Sequence, residues 1–148
     1  MKKVFLSIGS NINPAVNIPR CLRLLREKFH LVKTSSIYET APVGPAGTNK
    51  FWNLAIEIAT DLDSDELKHE LRHIESELDR VRDPADKFAP RTIDLDLLPQ
   101  PEDEKQPFII IPLAEIAPED KAPETGKSYR LLAEDFLREG FEIRKIRI

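Results

Sequence analysis

The sequence predicts a single α+β domain, and two features of the 148-residue chain carry that expectation. Short β-rich runs alternate with longer stretches that hold an apolar stripe at helical spacing. Their order is strand, helix, strand, strand, helix, strand, followed by further elements, and mixed connections of this kind point to α+β. The size suits one core without disulfide or metal staples.

Val4-Phe5-Leu6-Ser7-Ile8 is a compact β-rich run stopped by Gly9-Ser10-Asn11 and reads as a buried first strand. Pro14 and Pro19 bracket a loop, which places the start of the first helix near Ile18 with Asn17 as N-cap. Leu22, Leu24, Leu25 and Phe29 give that helix an apolar side through Lys28. His30 to Tyr38 alternates loosely and predicts a second strand, and Glu39 to Lys50, with Pro42, Gly44, Pro45 and Gly47, predicts a loop. Phe51 to Thr60 is a third strand, with Phe51, Asn53, Ala55, Glu57 and Ala59 on one face and Trp52, Leu54, Ile56 and Ile58 on the other.

Asp63 or Ser64 caps a second helix that runs to about Leu78, striped by Leu67, Leu71, Ile74 and Leu78. A charged loop from Arg80 to Arg91 leads to a fourth strand, Thr92 to Leu98. Phe108-Ile109-Ile110-Ile111 is apolar, but Pro112 limits it to an edge strand or the lead-in to a short helix. A final helix starts at Ser128 or Tyr129 and ends by Gly140, and Phe141 to Ile148 closes as a last strand. The first six elements match the βαββαβ ferredoxin-like plan, with C-terminal additions, in one domain over residues 1–148.

Composition narrows the function classes. The 22 Lys and Arg against 26 Asp and Glu give a net charge of −4, which argues against a general nucleic-acid or membrane-surface binder. The one cysteine, Cys21, excludes an intrachain disulfide, and its apolar helical surroundings make it a packing residue rather than a nucleophile. No apolar run approaches the roughly 20 residues of a membrane span, and the expected compartment is the cytoplasm.

The most informative stretch runs from Arg80 to Leu97. Residues two apart on a strand share a face, so Asp94 and Asp96 point one way while Ile93, Leu95 and Leu97 anchor the other side in the core. Two carboxylates held on a rigid element suit hard divalent cations such as Mg²⁺, with water and phosphate oxygens completing each octahedron. Arg80, Arg82, Lys87 and Arg91 stand directly before them, and acids for metal beside bases for phosphate is what phosphoryl transfer needs. The other reading is an acidic solvent face that guards a strand edge. Spacing leaves both readings open.

Pro90-Arg91-Thr92-Ile93-Asp94-Leu95-Asp96 resembles the signature of the 6-hydroxymethyl-7,8-dihydropterin pyrophosphokinase family. Leu6-Ser7-Ile8-Gly9-Ser10-Asn11 resembles that family's N-terminal strand end, and Ser36 to Gly44 with Phe51-Trp52-Asn53 resembles a second motif. Pro112-Leu113-Ala114-Glu115-Ile116-Ala117-Pro118 resembles a third, and together the four pieces span most of residues 4 to 118 in order. The resemblance implies transfer of pyrophosphate from ATP to the pterin hydroxymethyl group, release of AMP, and two Mg²⁺ held by Asp94 and Asp96. It implies phosphate contacts from Arg80 and Arg91, a basic loop completed by Arg82 and Lys87, and nucleotide contacts from Glu75 and Leu97. For the pterin it implies backbone groups of Thr40, Pro42 and Val43, a sandwich of Phe51 and Phe108, and a hydrogen-bonding amide from Asn53.

The fit has physical sense: a flat heterocycle wants aromatic faces, and its fixed donors and acceptors want an amide. The chain departs from the family in Leu98 to Pro107, a short stretch without the His and Arg that the family places there; Gln106 stands about where that Arg falls. Small-molecule partners and a monomer are expected. The alternatives are a relative that binds pterin or nucleotide without efficient transfer, and a ferredoxin-like interaction module without chemistry.

Overall fold

The strand and helix patterns become a single antiparallel sheet flanked by helices. The computed structural model describes residues 1–40, 50–79 and 92–146. Its strands are β1 (Lys2–Ser10), β2 (His30–Thr34), β3 (Ile37–Thr40), β4 (Phe51–Thr60), β5 (Asp94–Leu98) and β6 (Arg144–Ile146). Its helices are α1 (Pro14–Lys28), α2 (Ser64–Glu77), α3 (Pro107–Ile116) and α4 (Tyr129–Arg138).

The sheet order is β5-β1-β4-β3-β6, with β2 also on β4, and every described pairing is antiparallel. Since β1 and β2 both run against β4, α1 joins two parallel strands that have β4 between them. By the same logic α2 joins β4 to β5 across β1. Both helices cover one face, where Leu6, Ile8, Leu54, Ile56, Ile58 and Leu95 meet Ile18, Leu25, Leu67, Leu71 and Ile74. On the opposite face Phe5, Ala55 and Leu98 pack against α3 and α4 through Ile110, Leu113 and Leu132.

Local chemistry explains most boundaries. Asp63 caps α2 in a reciprocal box with Glu66, each side chain taking the other's backbone N–H. Ser128 caps α4, and Gly140 follows its end at φ 93°. Cys21 is fully buried, as a packing residue should be, and burial pushes its thiol up to about 12.

Two expectations need correction, and one open choice is resolved. Helix α1 begins at Pro14, with Asn13 as N-cap, so Pro19 lies inside it. Pro14 occupies the first turn, where no N–H is needed, and Pro19 is on the exposed side, so the lost hydrogen bond faces water. Asn17 is not a cap; its Nδ2 donates to the Ile12 carbonyl at 2.6 Å. The single strand expected over 30–38 is broken into β2 and β3 at Ser35-Ser36. There Ser35 Oγ accepts the Ala55 N–H at 2.9 Å, stitching the break to β4. Of the two readings left open for 108–111, the short helix is the one that forms: α3 starts at Pro107 and runs through Pro112. This helix is mostly enclosed, so its sequence lacks the stripe that marks a half-exposed helix.

Candidate active site

Sheet register decides which of the expected site residues meet. Asp94 on β5 lies opposite Gly9 on β1, Gly9 lies opposite Asn53 on β4, and Asn53 lies opposite Tyr38 on β3. Asp96 pairs with Ser7, and Phe51 pairs with Thr40. Directly paired residues share a face, so Asp94, Asp96, Asn53, Phe51 and Thr40 all stand on the face opposite the α1/α2 core. Helices α3 and α4 cover that face at its Phe5, Ala55 and Leu98 end. The carboxylates, Gly9 and Phe51 occupy the other end.

Gly9 matters for space. A Cβ at this position would sit 2.9 Å from Asn53 Oδ1 and 3.9 Å from Phe51 Cδ1, so the Asn53 amide lies against the bare backbone of β1. Ser10, next in the motif, fixes the entry to β5: its Oγ donates to the Thr92 carbonyl at 2.7 Å. Thr92 Oγ1 is buried beside it without a hydrogen-bond partner among the described residues.

The two aspartates stand two residues apart on the same face of β5. Partial burial and then the charge of Asp94 push the Asp96 carboxyl up to about 6, while the Arg72 guanidinium pulls the other way. Crowded negative charge of this kind is relieved by a divalent cation. The donor set therefore fits Mg²⁺, with open coordination positions left for water and phosphate oxygens. Among the described residues no group of three or more His, Cys, Asp or Glu side chains gathers as a closed metal cage.

Glu75 lies beneath the same strand and is 2% exposed. The Leu95 N–H donates to its Oε2 at 2.8 Å, and Arg72 Nη1 donates to its Oε1 at 2.8 Å. A cavity of about 360 Å³ opens where β5 ends, lined in part by Lys2, Lys68, Leu97 and Pro99. Phe51 and Phe108 are both half-buried, the former at the start of β4 and the latter in the first turn of α3. Pro42, Val43, Arg80, Arg82, Lys87 and Arg91 lie outside the described residues.

The short stretch after β5 is a folded connector. The Gln100 N–H donates to Asp103, and buried Glu104 takes the N–H groups of Glu124 and Thr125 at 2.7 and 3.1 Å. Lys105 is exposed and pairs with Glu102 at 3.5 Å.

Sequence reasoning missed Arg72, although an Arg three residues before a Glu on a helix is a visible signal. It also left the motif residue Glu115 without a role. Its carboxylate takes the Tyr38 hydroxyl at 2.5 Å and the Ser36 N–H and hydroxyl at 2.7 and 3.0 Å, tying α3 to β3.

The model of the 7,8-dihydro-6-hydroxymethylpterin-pyrophosphokinase (HPPK) family matches residues 5–118. The chain belongs to the HPPK family. It is 36% identical over 129 residues to the 2-amino-4-hydroxy-6-hydroxymethyldihydropteridine pyrophosphokinase of Bacillus subtilis, covering 76% of each chain. The enzyme of the same name from Haemophilus influenzae is 33% identical over 134 residues, covering 79% of this chain and 82% of that one. In backbone the chain is similar to wild-type HPPK-DHPS of Plasmodium falciparum, with a TM-score of 0.74 at 14% identity. That match covers 94% of this chain and 44% of the longer Plasmodium chain. The HPPK match contains most of β1 and all of β4, β5 and α3, which are the elements that present the aspartates, Gly9, Asn53 and Phe108. Among the described residues no helix is long and apolar enough to cross a membrane.

Proposed function

We propose that this chain transfers the terminal pyrophosphoryl group of ATP to the hydroxymethyl oxygen of 6-hydroxymethyl-7,8-dihydropterin, releasing AMP, as a step of folate biosynthesis. The observation that carries the reading is the sheet row Asp94–Gly9–Asn53. With strands about 4.8 Å apart, it sets the backbone of a cation-binding carboxylate about 10 Å from that of a ring-reading amide. A bicyclic ring and its hydroxymethyl arm fill such a span.

The hydroxymethyl oxygen attacks the β-phosphorus of ATP and its proton passes to solvent water. The bond from that phosphorus to the oxygen bridging the α-phosphate breaks, and the electron pair departs with AMP. Asp94 and Asp96 would hold two Mg²⁺, which when bound neutralise the polyphosphate and orient it for in-line displacement. Arg80, Arg82, Lys87 and Arg91 bind phosphate oxygens, and Arg80 and Arg91 meet charge that grows during transfer. Asn53 reads the pterin edge with donor and acceptor both, Phe51 and Phe108 stack on its faces, and backbone groups at Thr40, Pro42 and Val43 complete the pocket. Leu97 lines the cavity at the end of β5, a place for the nucleoside.

In finer terms the core is ferredoxin-like, a reading supported by the two interleaved β-α-β units. The chain forms one domain over residues 1–148 and works as a cytoplasmic monomer on small molecules, without nucleic-acid or membrane partners. The deciding experiment incubates purified protein with ATP, Mg²⁺ and the hydroxymethyl dihydropterin. AMP and the pterin pyrophosphate are expected; ADP, or no nucleotide product, refutes the reaction. A second reading, binding without efficient transfer, is favoured by one observation. The stretch after β5 is folded on itself, and its cation, Lys105, pairs with Glu102. Tight pterin binding without AMP release would establish that reading instead.

A further inference from the structure

β5 is the outermost strand on its side of the described sheet, which leaves one edge of its backbone without a strand partner. At Leu95 that edge is closed by two side chains from α2. The Leu95 N–H donates to Glu75 Oε2 at 2.8 Å, and Arg72 Nη1 donates to the Leu95 carbonyl at 3.0 Å. The same Nη1 donates to Glu75 Oε1 at 2.8 Å, so the three residues form a closed ring of hydrogen bonds. Leu95 is the residue between the two aspartates, and its own side chain is fully buried in the α1/α2 core. The second guanidinium nitrogen, Nη2, lies 3.9 Å from Asp96 Oδ1.

We propose that Arg72 is a positioning residue for the cation site: with Glu75 it grips both peptide groups of Leu95 and so fixes the spacing and aim of Asp94 and Asp96. The proposal rests on reading those aspartates as cation ligands. Three features favour positioning over plain helix–strand adhesion. The grip falls on the one backbone unit whose rotation would swing both carboxylates. It uses a planar fork, which sets direction as well as distance. Its free arm points at Asp96 itself, at a distance too long for a strong hydrogen bond but within reach of its charge. Groups that orient metal ligands from behind commonly change metal affinity 10- to 100-fold when removed.

Charge and position predict opposite signs, which makes the test sharp. Removing a cation beside Asp96 strengthens binding of another cation if charge is all that Arg72 supplies. Loosening the strand weakens it. The probe is Mn²⁺ alone, titrated into metal-free protein and followed by the loss of the free-ion electron paramagnetic resonance signal. Exchange of the Leu95 amide by nuclear magnetic resonance and steady-state kinetics accompany it.

Arg72→Lys keeps the charge but loses the fork, and is expected to weaken Mn²⁺ about tenfold. It should lower kcat about tenfold with the pterin KM unchanged, and speed exchange of the Leu95 amide relative to its neighbours on β5. Arg72→Ala should weaken Mn²⁺ at least as much, against the sign of its charge effect. Asp96→Asn is run in parallel. If it leaves Mn²⁺ affinity unchanged, the cation reading of the aspartates falls and the proposal with it. If Asp96→Asn abolishes Mn²⁺ binding while Arg72→Lys matches wild type in Mn²⁺ affinity and kcat, the positioning role alone is overturned. Lower thermal stability in Arg72→Lys with unaltered Mn²⁺ affinity overturns it equally, by reducing Arg72 to adhesion.

Discussion

Replacing Gly9 by alanine separates fold from site more cleanly than any change to a functional group. Gly9 lies in ordinary strand backbone, outside the positive-φ glycines, so alanine fits its conformation. On that account alone the substitution would stabilise the protein by about 0.4–1 kcal/mol through the unfolded chain. Space opposes it. The new Cβ would stand 2.9 Å from Asn53 Oδ1, against the roughly 3.4 Å of an ordinary contact, so the amide must retreat by about half an ångström. Asn53 is 6% exposed, and crowding of this size costs about 1–3 kcal/mol where neighbours cannot yield. The two terms oppose one another and leave a net cost of about 0–2.6 kcal/mol, so the melting temperature should fall by about 0–10 °C. The amide's displacement does not cancel. Spoiling hydrogen bonds to a bound heterocycle costs about 1–1.5 kcal/mol each, so pterin affinity should drop about tenfold while ATP affinity holds. Calorimetric titration of each ligand into the purified variant reads both. The decisive arm is a double-mutant cycle: in an Asn53→Ala background the obstacle is gone, and Gly9→Ala should cost pterin affinity almost nothing. An equal loss in both backgrounds would show that Gly9 does not act through Asn53 and refute the argument.

Three further outcomes follow from named contacts. Asp96→Asn should cut AMP release at least about 100-fold while the circular dichroism spectrum is kept, because its side chain is 47% exposed and asparagine keeps its shape. Near-normal turnover would remove Asp96 from the site. Glu115→Ala strands the Tyr38 hydroxyl and the Ser36 N–H and hydroxyl, and should cost about 2 kcal/mol, a fall of about 4–8 °C in melting temperature. An unchanged melting curve would mean that water replaces the carboxylate without loss. Cys21 should resist iodoacetamide at pH 8.5 in the native protein and react on unfolding, since its thiol is pushed up to about 12. The sign is fixed: the folded state keeps a proton that the unfolded thiol sheds above about 8.5, so this group withdraws stability as pH rises from there toward 12. Rapid native alkylation would place the side chain outside the core.

Elements whose apolar residues face one layer were legible from sequence. β4 alternates because one face meets α1 and α2 while the other carries Phe51 and Asn53, and its bounds emerged as read. α2 declared both its stripe and its cap. Prolines misled in α1 and left α3 open between strand and helix, because the cost of a proline depends on where its missing N–H points. That is a tertiary fact for Pro19 on the exposed side and for Pro112 in an enclosed helix. The break between β2 and β3 was hidden because Ser35 satisfies the Ala55 N–H with a hydroxyl, which no alternation pattern records. In the site, the ligand-type residues stood out by chemistry. Their supports did not: Gly9 acts by lacking an atom, Ser10 by holding a distant carbonyl, and Arg72 by gripping a backbone that only the sheet order brings to α2.

That sheet order also bears on the choice that spacing left open. Acidic residues on an outer strand are a known defence against edge-to-edge pairing, and β5 is an outer strand of the described sheet. Yet the groups that need defending are the N–H and C=O directed away from β1, and at Leu95 these are already taken by Glu75 and Arg72. Asp94 and Asp96 point instead out of the sheet plane, onto the face shared with Asn53, Phe51 and Thr40. There partial burial, and after it the charge of Asp94, push the Asp96 carboxyl up to about 6. A guard placed for solubility would be spread out and hydrated. Two carboxylates side by side on a partly buried face cost stability unless something positive lies near them. An edge already closed by an Arg–Glu pair has no need of that cost, and an enzyme that must hold a polyphosphate beside a flat ring does.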